Sequence, residues 1–241
     1  MRTLLLFLVC AVFATTFPSF ASEIELSKKE VAQGSFFRVT ITDAPPRWVF
    51  LVRFQKKNYR TFAYSDRAQV VFIPVGSVEE PGVAEVRFES EAELIVPHTI
   101  TIVAPPPRES TMPEAFIPNE QEGKALGPFL SRTTPLAFFR EDLIFKNPFI
   151  ARTATVIDVV AAEAGVVRFA GKLPTLGDTV VVDHGQELFS VYTRLEDTAV
   201  KESDAIPRGF RIGTAEPMKA RFAIRLHGVW LDPTNFIGGS E

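Results

Sequence analysis

The chain is poor in the residues that usually carry metal and redox chemistry. It has one cysteine, three histidines and three tyrosines in 241 residues, against 22 phenylalanines. The one cysteine, Cys10, lies inside the apolar run Leu4–Phe13, so a disulfide framework is excluded for everything that follows. A lipid-anchored leader would place its cysteine after such a run, next to small residues, and this one follows Phe7-Leu8-Val9. The run is also shorter than the ~20 apolar residues needed to span a bilayer. The net charge is −3, which leaves no electrostatic footprint for nucleic acid or anionic lipid. There is no Gly-x-Ser-x-Gly elbow, no phosphate loop and no His-Glu-x-x-His. The carboxylate pairs Glu79-Glu80 and Glu120/Glu122 sit in turn-rich sequence and read as solvated loops.

What is present begins with an export signal. Met1-Arg2 supplies the positive region, Leu4–Phe13 the apolar core, and Ser19-Phe20-Ala21 the small residues read by a signal peptidase, so cleavage is expected after Ala21. Residues 22–104 alternate with a period of two in short runs cut by turns: Phe36–Ile41, Trp48–Phe54, Tyr59–Tyr64, Gln69–Ile73, Val83–Phe88 and Val96–Val103. About seven short strands at spacings near ten residues predict an immunoglobulin-like β-sandwich. Residues 105–142 open on Pro105-Pro106-Pro107, which cannot donate to a sheet ladder, and continue with little periodicity. They are expected to form an irregular linker with at most one short helix. Strands return from residue 143 with glycines at the turns: Ile157–Ala161, Gly165–Phe169, Thr179–Val182, Leu188–Tyr192, Phe210–Ile212 and Arg221–Leu226. The predicted class is therefore all-β.

The second β region carries an ordered set of motifs. Gly165–Gly171 is followed by Leu176–Gly185, by Val191-Tyr192-Thr193-Arg194-Leu195, by Pro207–Gly213, by Arg221–Gly228 and by Asp232-Pro233. In order and spacing this string resembles the lysostaphin-like (LytM-domain) peptidoglycan metallopeptidases, and the resemblance covers about residues 143–237. It implies a LytM-type, duplicated-hybrid-motif β domain over residues 143–241, joined to the immunoglobulin-like domain as in many exported relatives.

In that family zinc is held by the His and Asp of a His-x-x-x-Asp motif and by the second His of a His-x-His motif. Water occupies the open fourth position. The first His of His-x-His and the His of Tyr-x-His-Leu assist catalysis. Counting back from Asp232-Pro233, His-x-His falls on Lys219-Ala220-Arg221, with Phe222 keeping the aromatic that follows. Tyr-x-His-Leu is Tyr192-Thr193-Arg194-Leu195. The segment bearing the first motif is missing before Val159; an ungapped alignment places Lys146 and Ile150 near its two ligand positions. A guanidinium has no lone pair for a metal, so the resemblance implies a degenerate member with no zinc and no catalytic residues. Arg194, Lys219 and Arg221, with Tyr192 and Phe222 as walls, are the candidate groove for a ligand or partner.

The three histidines fall in three separate contexts. His184 is expected to be structural at a strand end, His227 to be solvated at a hairpin turn, and His98 to have no partner. The functional expectation is an exported, periplasmic or extracellular, catalytically inactive homologue. It would bind a peptidoglycan stem peptide or regulate a wall hydrolase, with no nucleic acid and no membrane span after signal cleavage. The alternatives are an active zinc endopeptidase and a purely structural subunit of an envelope complex.

Overall fold

A computed structural model describes residues 22–44, 50–89, 97–105, 116–139 and 143–237. Residues 1–21, where the export signal is expected, Trp48, Pro106, Pro107 and the extreme carboxy terminus lie outside these residues.

Nine strands precede the linker: β1 (Glu23–Leu26), β2 (Glu30–Ala32), β3 (Phe36–Thr42), β4 (Leu51–Phe54), β5 (Lys57–Arg60), β6 (Phe62–Ser65), β7 (Ala68–Pro74), β8 (Gly82–Glu89) and β9 (His98–Val103). They form two sheets, β1-β3-β7-β6 and β2-β9-β8-β4-β5, with β2 and β9 parallel. The predicted strand Tyr59–Tyr64 is two strands. The chain crosses between the sheets at buried Thr61, whose backbone N–H and Oγ1 both donate to Phe50 O. Phe37, Val39, Ile41, Val71 and Ile73 face Val52, Phe54, Val86, Ile100 and Ile102 across the sandwich core.

The other face of the β3–β7 pair is buried too. Phe36, Val70 and Phe72 join the core of the second domain, so Val70-Val71-Phe72-Ile73 is a continuous buried run instead of an alternating one. Phe36 stacks on Phe236 with ring centroids 4.8 Å apart, and Asp232 N–H donates to Gly34 O at 2.8 Å. Gly34 holds a positive φ of 74°, and a Cβ there would sit 3.0 Å from the Asp232 Cβ, so the seam is closely fitted.

The linker carries α1 (Glu120–Leu126), and after it come β10 (Phe149–Ala151), β11 (Ile157–Val160), β12 (Gly165–Leu173), β13 (Gly177–Asp183), β14 (Leu188–Leu195), β15 (Asp197–Thr198), β16 (Ala205–Ile206), β17 (Arg211–Ala215), β18 (Arg221–Leu226) and β19 (Val229–Leu231). Six strands form the sheet β16-β12-β13-β14-β18-β19, and four form β10-β11-β17-β15. Helix α1 starts on a capping box: Asn119 Oδ1 accepts from Glu122 N–H at 3.0 Å, and Glu122 Oε2 accepts from Asn119 N–H at 2.9 Å. It gives way to a 3₁₀ turn at Gly127–Phe129, where Pro128 is tolerated as a first-turn residue.

Candidate functional site: the outer face of the six-stranded sheet

Side chains alternate across a strand, so β14 and β18 each present two faces. On the inner face Tyr192, Phe222, Leu188 and Ile224 pack with Val159 and Ile212 of the smaller sheet. On the outer face Phe189, Val191 and Ala223 pack with Phe116, Leu126 and Leu130 of the linker segment. Arg221 pairs with Thr193 across the ladder, and alternation places both with Ala223 and Val191 on the outer face.

The five candidate residues therefore divide between faces. Tyr192 and Phe222 are 0% and 1% exposed, with ring centroids 5.1 Å apart, in the inner core. The Tyr192 hydroxyl accepts from Ala162 N–H at 2.8 Å and lies 3.0 Å from Ser190 Oγ. Burial pushes the Tyr192 phenol up to about 12. Arg221, half-buried, holds its guanidinium 5.5 Å from the centre of the Phe116 ring. Lys219 is exposed and pairs with Glu216 at 2.7 Å, in the tight turn that leads into β18. Arg194 is exposed at φ 59°, where the β13–β14 register shifts, and its backbone N–H donates to Leu176 O at 3.0 Å.

The comparisons with known proteins bear on the domain that contains this sheet. Residues 149–233 match the model of peptidase family M23. The carboxy-terminal domain thus has an M23 peptidase-like fold. Stage II sporulation protein Q of Bacillus subtilis is 33% identical over 88 residues, which are 33% of this chain and 31% of that protein. An uncharacterized protein of Neisseria meningitidis is 28% identical over 99 residues, 39% of this chain and 16% of that protein. The chain thus matches less than a third of the length of either curated relative. The crystal structure of a Pseudomonas aeruginosa protein assigned to peptidase M23 superposes with a TM-score of 0.58 at 17% identity, covering 87% of this chain and 96% of that one. That likeness is one of fold, and it extends across the amino-terminal sandwich.

The donor set of this M23 domain does not suit zinc. The positions aligned with His-x-His carry an ammonium already paired with Glu216 and a guanidinium set against Phe116. Phe116 N–H also donates to Phe222 O at 3.1 Å, which lays the linker along the edge of that motif. Lys146 donates its backbone N–H to Ala162 O, and Ile150 is a 40%-exposed residue on β10. Among the described residues no group of three or more His, Cys, Asp or Glu side chains is placed to hold a metal ion.

The histidines are all packed. His184 is fully buried, with Nδ1 2.7 Å from Ala164 O and Nε2 2.7 Å from Ser190 Oγ. Donation from Nδ1–H to the carbonyl leaves Nε2 to accept from Ser190, and burial pushes the imidazole down to about 4. His227 does sit at the β18–β19 turn, but it is not solvated. Its ring lies 5.4 Å from that of Tyr59, and Nδ1 is 3.6 Å from Glu187 Oε2. His98 has a partner in Phe88, at 5.4 Å between ring centres.

Sequence reasoning missed Asp183. Its buried carboxylate accepts from Arg168 Nη2 at 2.6 Å, from Thr134 N–H at 2.7 Å and Oγ1 at 2.8 Å, and from Gly185 N–H at 2.8 Å. It thereby ties the end of the linker to the M23 domain. The available signal was a charged residue closing the apolar run Val180-Val181-Val182, with Arg168 on the neighbouring strand to neutralise it.

Proposed function

We propose that the protein is exported to the periplasm or beyond and acts there by binding, with no hydrolysis of its own. A wall hydrolase or a peptidoglycan stem peptide is the target class, and the geometry favours the protein partner. The observation that carries this reading is the state of the sheet's outer face. Where relatives place zinc and catalytic imidazoles, this chain places Lys219 and Arg221, and the segment from Phe116 to Leu130 packs over the adjoining surface. A stem peptide would have to displace that packing to lie along the sheet. A protein partner needs only the rim, where Arg194 and Lys219 are exposed.

Export rests on the leader read in residues 1–21. No helix among the described residues is long and apolar enough to cross a membrane.

The test incubates purified protein with sacculi, with and without added zinc, and profiles the released muropeptides. No new cleavage product is expected in either condition. A wall hydrolase added to the same sacculi should change its rate when the protein is present. Zinc-dependent cleavage by the protein alone would overturn the reading.

A further inference from the structure

Two adjoining cavities lie between the amino-terminal sandwich and the M23 domain, with volumes of about 540 and 450 Å³. They share Phe62, Pro135 and Gln186, so together they make one trough. One wall is a run of consecutive residues, Lys57 through Tyr64, along β5 and β6. Each of these is the outermost strand of its sheet. An outermost strand presents a row of unpaired backbone N–H and C=O groups, the template on which another extended chain can add.

The opposite wall, Thr133–Ala137, is held in place before any ligand arrives. Gln186 N–H donates to Thr134 O at 2.9 Å, Phe138 N–H to His184 O at 2.9 Å, and Asp183 takes both polar groups of Thr134. A Cβ on Gly185, whose φ is 85°, would fall 1.8 Å from Leu136 O, so the wall and the β13–β14 turn are in direct contact. A trough fixed in this way spares a ligand the cost of ordering it. Its floor is aromatic: Phe62, Phe72 and Phe139 lie 5.4 to 6.5 Å from one another.

The lip carries positive charge. Lys57 and Arg60 are exposed and have no ion-pair partner among the described residues. Glu187, the carboxylate on the opposite side, is held low by its hydrogen bond with His227 and lies 3.6 Å from that ring, so the two cations Lys57 and Arg60 outnumber it on the lip. A basic lip in a chain of net charge −3 is a local departure from the overall balance.

We propose that this trough receives an extended, acidic segment of a partner protein, which adds as a strand along β5 or β6, seats apolar side chains on the three phenylalanines and sets its carboxylates against Lys57 and Arg60. The proposal rests on the binding role proposed above and supplies its contact surface.

The probe is a fluorescein-labelled octapeptide alternating Glu or Thr with Val. Its controls are a version with Lys for Glu and a version N-methylated at every second backbone nitrogen. Fluorescence polarisation with the purified protein should show salt-dependent binding of the acidic peptide. Binding should weaken by about tenfold or more, over 1.4 kcal/mol, for Lys57→Glu/Arg60→Glu and for the N-methylated peptide. The double variant touches exposed residues only and should unfold at the wild-type temperature. No binding of the acidic peptide, or equal binding of the acidic, Lys and N-methylated peptides, overturns the proposal. So does binding of sacculi, sensitive to the double variant, by a protein that ignores the peptide, because the occupant is then peptidoglycan. Muropeptide cleavage by the protein would end the non-hydrolytic reading and leave this result standing, so the two failures are distinguishable.

Discussion

The two faces of the six-stranded sheet have the same strands and the same hydrogen bonds, yet they have diverged in what they can do. The inner face is filled by Tyr192, Phe222, Leu188 and Ile224 against a second sheet, and the Tyr192 hydroxyl there is hydrogen-bonded to Ala162 N–H and Ser190. The outer face mixes apolar residues with Arg221, Arg225 and Thr193, and a segment from outside the M23 match, Phe116 to Leu130, covers it. Buried Thr193 Oγ1 has no hydrogen-bond partner among the described residues, a sign that this face is less completely satisfied. The inner face holds the two sheets of the domain together through its buried apolar side chains. The outer face is where the proposed loss of the family's chemistry would lie, at Lys219 and Arg221.

The comparison can be broken first at the inner face. Phe222→Ala removes a ring that is 1% exposed and touches Tyr192 and Phe149, and should cost about 3–5 kcal/mol in denaturant unfolding. A cost below ~1 kcal/mol would mean that the inner face is not the folding core.

Acid should act next, through His184. Its folded-state value of about 4 lies below the ordinary 6.5, so the neutral form is the one the fold accepts. Its contribution is complete above pH 6.5 and is lost as pH falls towards 4, a total of roughly 3 kcal/mol. Denaturant midpoints across that window should fall more steeply for the wild type than for His184→Gln, which keeps one donor and one acceptor. Parallel slopes would show that the imidazole is solvated or charged in the fold.

The outer face should yield the smallest effect. Arg221→Gln gives up the contact with Phe116, a term of about 1 kcal/mol or less at a half-exposed site. A loss as large as that of Phe222→Ala would make Arg221 a structural keystone and remove the contrast between the faces.

Much of the fold could be read from the residues. Strict alternation in Phe36–Ile41 and Val83–Phe88, and glycines at the turns after residue 157, gave strands close to those observed. Tyr59–Tyr64 did not show that Thr61 is a crossing, because alternation continues through a change of sheet. Val70–Ile73 carried its information in what it lacked: no polar residue interrupts it, since both faces of β7 are covered. The partner that covers the second face comes from a distant part of the chain, and local pattern cannot name it. The same limit applies to the candidate site. Motif spacing located Arg194, Lys219 and Arg221, but Tyr192 and Phe222 follow strand parity to the opposite face, while Phe116 and Asp183 act through contacts with residues far away in sequence, Arg221 and Thr134. The trough between domains was not legible at all, because its walls come from β5, β6 and the linker, which meet only after both domains fold.

The most direct test of the central claim is the zinc content of the full-length protein purified without chelator, read by elemental analysis after dialysis against micromolar zinc. With Lys219 paired to Glu216 and Arg221 set against Phe116, the account predicts no stoichiometric zinc. A tightly held zinc in every chain would contradict it and restore the outer face as a metal centre.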